Sequence, residues 1–213
     1  MKWQVKYALE NARRESGVIS VEHAGGDAIR ISVHEQPDVL AVISDAYKMD
    51  AELAARYYEQ WPEMDFLCGY RKECLWDGSA IAFLEDKTVG WGNYGSLGSA
   101  IPKGSARMAS HKNYMFPYRL ILQQGYVSNV RREFDRVFSL TLSRGRSLRV
   151  GMIWEYEPTA DAVRSLWDSC GAVDVAWNTN PNGSPAPSAI EAGRQLGCKV
   201  LKWDELRPIL LKG

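Results

Sequence analysis

Soft metal ligands are scarce in this 213-residue chain, which has three histidines and four cysteines. His23, His34 and His111 stand apart from one another and from any cysteine at ligand spacing, so no zinc-type site is expected. Cys68, Cys74, Cys170 and Cys198 form no CxxC pair, which points to buried free thiols rather than a disulfide framework. There is no uncharged apolar run of about 18 residues, so no transmembrane helix is expected. The N-terminus, MKWQVKYALENARRESG, is charged and amphipathic and has no apolar signal core. A cytoplasmic location is the resulting expectation. Net charge is absent as well, with 26 basic and 26 acidic residues, which gives no case for a generally basic nucleic-acid binder or an acidic tail. No serine or cysteine has a base placed beside it by any motif, and no cofactor is expected.

What is present is an ordinary hydrophobic share of 46%, with eight Trp and ten Tyr that predict prominent aromatic packing. The balanced charge is unevenly spread. Between Lys103 and Arg149 ten Lys or Arg face only Glu133 and Asp135. Tyr114, Tyr118 and Tyr126 interleave with Lys103, Arg107, Lys112 and Arg119, and Arg131, Arg132, Arg136, Arg144 and Arg146 surround a predicted hairpin. Basic side chains that neutralise phosphates beside aromatics that stack on bases would make this a nucleic-acid face. The alternative is a solvated face paired with the acidic remainder, within the chain or across a homodimer.

The chain repeats itself. Asp50 to Leu97 matches Thr159 to Leu206 in order: helix, strand, turn, helix, strand, then GNYGSL in one copy and DELRPILL in the other. Asp50 is placed to cap AELAARYYEQW, and TADAVRSLWDSCG has helical apolar spacing closed by Gly171. Asp65 matches Asp174, and Trp91 is matched with Trp203. Upstream, Ile29, Ile31 and Val33 line up with Phe138, Leu140 and Leu142 as alternating strands. The strands VLAVIS and LRVGMIW then end at acids read as equivalent, Asp45 and Glu155. Helical stretches precede both units, Lys2 to Glu15 and an irregular one within Tyr118 to Phe138. The predicted fold is therefore α/β, with two similar units, each a small mixed sheet of a hairpin plus parallel strands flanked by helices. The units are placed at 1–102 and 137–213, with a basic, helix-containing connector at 103–136.

Leu148 to Leu211, with WNTNPNG after a strand, AIEAGRQLGCKV as a helix and a closing DEL helix, resembles the C-terminal part of Mrr-like restriction endonucleases of the PD-(D/E)xK superfamily. GGDAIRI resembles that family's entry into its catalytic hairpin. The resemblance implies an acid on the hairpin and an acid or Gln, then Lys, two residues apart on the next strand, holding divalent metal beside a scissile phosphate. Here the hairpin position falls near Arg30 in one copy and Ser139 in the other, and the strands read VISDAYK and MIWEY. Asp45, Lys48 and Glu155 are the surviving candidates, off the required spacing. The resemblance thus implies two nuclease cores that have lost catalysis, binding nucleic acid or a partner in a bacterial restriction or defence setting. A divergent metal-dependent nuclease using Asp45 or Glu155 is a further alternative.

Two loops carry a competing reading, a nucleotide-like ligand at strand ends. Gly90 to Gly95 matches GxGxxG, but no acid follows until Glu133 and the next residues are rich in Gly and Pro, so a flexible exit loop is expected. Asn178, Asn180, Asn182, Gly183 and Ser184 lie between a strand and a helix, where open α/β sheets place ligands. A turn whose Asn and Gly residues satisfy their own backbone is the plainer account.

Overall fold

The structure is a computed structural model that describes residues 1–71 and 74–212. It divides into two units, Met1–Lys112 and Asn113–Gly213. No helix among the described residues is long and apolar enough to cross a membrane.

The first unit runs α1 (Trp3–Ala12), β1 (Val18–Gly25), β2 (Ala28–Val33), β3 (Val39–Ser44), β4 (Lys48–Met49), α2 (Ala51–Gln60), β5 (Phe66–Gly69), β6 (Leu75–Trp76), α3 (Gly78–Asp86), β7 (Gly90–Gly92) and α4 (Tyr94–Ala100), closed by two short 3-10 turns. The second runs α5 (Lys112–Leu122), β8 (Val127–Phe134), β9 (Val137–Leu142), β10 (Ser147–Ile153), α6 (Ala160–Cys170), β11 (Val175–Asn178), α7 (Pro187–Leu196), β12 (Lys199–Leu201) and α8 (Trp203–Lys212). Each has one five-stranded sheet, ordered β1-β2-β3-β5-β7 and β8-β9-β10-β11-β12. In each, the first three strands are antiparallel and the last two join in parallel.

The sequence explains the layers. VLAVIS in β3 is buried at every position, as a strand covered on both faces must be. One face of the first sheet packs Ile29, Ile31 and Ile43 against Val5, Ala8 and Leu9 of α1 and Leu97 of α4. The other packs Leu40, Val42 and Leu67 against Ala54 of α2 and Ile81 and Leu84 of α3. In the second unit Phe138, Leu140 and Met152 meet Ile121 of α5 and Leu206 and Leu210 of α8. All four cysteines are buried.

The two units keep one register, a constant separation of 109 residues. Strands β1, β2, β5 and β7 coincide at both ends with β8, β9, β11 and β12 under that shift. The bulges coincide too, between Val18 and Ser20 and between His23 and Gly25 in one copy, Val127 and Asn129 and Arg132 and Phe134 in the other. The connecting bonds follow. Ile43 N–H donates to Asp27 O and Met152 N–H to Arg136 O, both at 2.8 Å. Leu75 N–H reaches Tyr47 O and Ser184 N–H reaches Tyr156 O, both at 2.9 Å.

This register corrects several sequence expectations. The ladder places Asp45 with Trp154, not Glu155, and Trp91 with Val200, while Trp203 corresponds to Tyr94. The proposed connector 103–136 is no separate element: its first part closes the first unit, and α5 and β8 open the second. The irregular helical stretch read within Tyr118 to Phe138 is helical only as far as Leu122, the end of α5; from Val127 the chain is β8, because Val127, Val130 and Arg132 pair with β9 across the bulge. The flexible loop expected after Gly92 is instead α4, started by Asn93, whose Oδ1 accepts from Ser96 N–H at 3.0 Å. Its glycines answer to packing. A Cβ on Gly90 would lie 1.9 Å from Ala106 O, in the segment that covers this sheet edge through a bond from Trp91 N–H to Ala109 O.

Candidate functional site

The carboxyl ends of the parallel strands are where an open α/β sheet offers a ligand site, and both units build that end alike. In the first unit Tyr70 N–H donates to Ser44 O at 2.9 Å and ties the exits of β5 and β3 together. Arg71 follows, its Nε donating to Asp45 O at 2.5 Å. In the second unit Thr179 N–H donates to Ile153 O at 2.9 Å, and Asn180 Nδ2 donates to Trp154 O at 3.2 Å. Arg71 and Asn180 are thus the same bridge in two copies.

The surroundings of the bridge differ. Arg71 lays its guanidinium 4.0 Å from the centre of the Tyr47 ring and 5.4 Å from that of Trp3. Trp3 stands edge-on to Tyr70 at 5.7 Å, and Tyr70 accepts a hydrogen bond from Asn11 Nδ2 at 2.9 Å. Beneath lies Ser44, fully buried, whose Oγ accepts from Tyr57 O–H and Ala46 N–H, both at 3.1 Å. Burial pushes the Tyr57 phenol up from its ordinary value. Beside it Lys2 Nζ meets Asp27 Oδ2 at 2.8 Å, a bond that raises the lysine's pKa.

Of the sequence-selected acids, Asp45 sits half-buried at this end and bonds through its carbonyl. Lys48 is on β4, 3.1 Å from Asp77, and not on the strand with Asp45. Glu155 is exposed and its carbonyl accepts from Asn178 Nδ2 at 2.8 Å. Asp45 and Lys48 therefore form no acid–x–Lys pair on one strand. Among the described residues no three His, Cys, Asp or Glu side chains gather as a metal site.

The loop Asn178 to Ser184 is stapled to the β10 exit. Besides the Asn178 and Asn180 bonds, Asn180 Oδ1 accepts from Asn182 N–H at 3.1 Å. Gly183 passes so close that a Cβ would lie 2.2 Å from Tyr156 O, and Ser184 Oγ meets Lys202 Nζ at 3.4 Å. The Asn178 and Asn180 amides are thus spent on carbonyls of the β10 exit, and Asn180 Oδ1 on the turn's own backbone.

The selected basic residues are divided. Arg131 and Arg149 share Glu133 with the Ser139 hydroxyl. Burial opposes ionisation of Glu133, but these donors outweigh it and hold its pKa below the ordinary value. Arg132 lies over Tyr118 at 4.0 Å. Arg136 forms a two-pronged pair with Asp135, at 2.8 and 2.9 Å, over Tyr114. Burial pushes the fully buried Asp135 carboxyl up against the pull of Arg136. Arg144 and Arg146 are exposed at the β9–β10 turn, and Lys112 is exposed at the start of α5. Sequence reasoning missed Trp3, Tyr47 and Arg71. The only local hint was Tyr47, which stands 109 residues before another exposed tyrosine, Tyr156.

Compared with protein-family models, with curated proteins and with solved structures, the chain matches none.

Proposed function

We propose that this protein is a non-catalytic nucleic-acid-binding protein built from two copies of an endonuclease-like core. One observation carries the reading. The hairpin positions near which the resemblance looks for a metal-binding acid, Arg30 and Ser139, carry no acid, and the Ser139 hydroxyl is bonded to Glu133, which Arg131 and Arg149 already hold. Among the described residues no three His, Cys, Asp or Glu side chains gather where a divalent ion would be held. Binding is supported by the second unit's 13 Lys or Arg against 10 Asp or Glu and by the exposed Arg131, Arg144 and Arg146. The resemblance would place such a protein in a bacterial restriction or defence setting.

The test pairs two assays on the same preparation. Labelled oligonucleotides are titrated at rising salt, where phosphate contacts give affinity that falls linearly on a log–log plot. Plasmid is incubated with magnesium or manganese beside an Asp45→Ala, Glu155→Ala double variant. Binding without cleavage is expected. Cleavage by the wild type that the double variant loses would replace this reading with a metal-dependent nuclease.

A further inference from the structure

We propose that Arg71, Tyr47 and Trp3 form a site that takes an unpaired base and its phosphate from single-stranded nucleic acid. The inference rests on the nucleic-acid reading above and names its place in the first unit.

The comparison of the two copies carries it. The bridge from the β5 exit to the β3 exit needs one donor, and in the second unit Asn180 supplies it with a neutral amide. The first unit uses a guanidinium for the same bond. Arg71 spends Nε on Asp45 O, and its two terminal nitrogens have no hydrogen-bond partner among the described residues. A planar fork of donors of this kind matches phosphate oxygens.

The guanidinium is also backed by rings from two other elements. Tyr47, after β3, is 66% exposed, and Trp3, on α1, is 44% exposed. Trp3 is held in place from below by Tyr70, itself fixed by Asn11, so the ring is preorganised rather than loose. Two aromatic faces and a flat cation are the groups on which bases stack irrespective of sequence. Under the 109-residue shift the exposed Tyr156 corresponds to Tyr47, but Lys112, at the start of α5, corresponds to Trp3 and Asn180 to Arg71. The site is therefore specific to the first unit.

The experiment is fluorescence anisotropy with labelled oligo(dA), oligo(dT) and a duplex of the same length, on the full chain. Variants are Arg71→Asn, which installs the second unit's own bridge, Tyr47→Ala, Tyr47→Phe and Trp3→Ala. Melting curves establish that each variant is folded. Arg71→Asn and Tyr47→Ala are expected to weaken single-strand binding about tenfold or more, with Tyr47→Phe close to wild type and the duplex a poor competitor. Wild-type binding that all variants retain in full would overturn this site and leave the nucleic-acid reading standing on the arginines around β8 and β9. A duplex that competes as well as the single strand would overturn base stacking. No binding by the wild type at low salt would remove both.

Discussion

Asp65 and Asp174 stand 109 residues apart and make the same bonds. Asp65 Oδ2 accepts from Leu40 N–H, and Asp174 Oδ2 accepts from Arg149 N–H, each at 2.7 Å. Each aspartate returns its own N–H to the carbonyl of the same partner, at 2.8 Å. The pair starts the parallel ladder in each unit and fixes its register, because a carboxylate bonded to an amide is stronger than a neutral bond.

Asp174→Ala should therefore lower the stability of the second unit by about 1.5–3 kcal/mol. Asp65→Ala should cost more, since Asp65 Oδ1 also meets Arg107 Nε at 2.5 Å. Urea unfolding of both variants checks the order, and equal losses would remove any contribution from Arg107.

The Asp135–Arg136 pair predicts a reversal on double substitution. Arg136→Leu leaves a buried carboxylate without its partner, a loss of about 3–5 kcal/mol. Replacing Asp135 by Asn in the same chain should recover much of it. Thermal melts of the single and double variants measure the recovery.

Glu133 and Asp135, two residues apart, should act on acid stability with opposite sign. The pKa of Glu133 is lower in the folded state, so its contribution is present above the unfolded value and lost as pH falls through the folded one. The pKa of Asp135 is higher in the folded state, so its contribution is present at low pH and lost as pH rises through the folded value. Between about pH 5 and about pH 3, Glu133→Gln should flatten the fall in urea midpoint and Asp135→Asn should steepen it.

Gly90→Ala and Gly183→Ala should each destabilise by about 1–3 kcal/mol, because a backbone oxygen occupies the place of the new methyl. Gly90→Ala should also free the segment covering β7. Limited proteolysis is expected to cut earlier within residues 101–111 in this variant, and an unchanged cleavage pattern would remove that covering role.

Arg144→Ala and Arg146→Ala should change stability by less than about 0.5 kcal/mol, since both side chains are exposed at a turn. If either contacts phosphate, its loss should reduce the salt slope of nucleic-acid binding by about 1. Salt titrations of the two variants beside wild type read this directly.

Much of the fold was legible in the chain. VLAVIS, VDVAW and the helical spacing of TADAVRSLWDSC are strong period signals, and the match of Asp50–Leu97 with Thr159–Leu206 is the register that the structure keeps. The strands β1 and β8 were not legible. They are half-exposed edge strands, interrupted by bulges and carrying charged residues such as Glu22, Arg131 and Arg132, so no clean alternation survives. The candidate site was hidden for a related reason. Trp3, Tyr47 and Arg71 are distant in sequence, and no spacing rule links a helix start to two strand exits.

The sequence by itself determined two α/β units, the strands of their cores and the aspartates that begin each parallel ladder. These follow from apolar periodicity and local hydrogen-bonding groups, which act over a few residues. Only the tertiary structure decided that the duplicated exits differ in chemistry. Tertiary packing alone also decided that Arg131, Arg132, Arg136 and Arg149 are engaged by Glu133, Asp135 and aromatic rings while Arg144 and Arg146 stay exposed at a turn, because neighbours across a sheet are chosen by pairing and not by position in the chain.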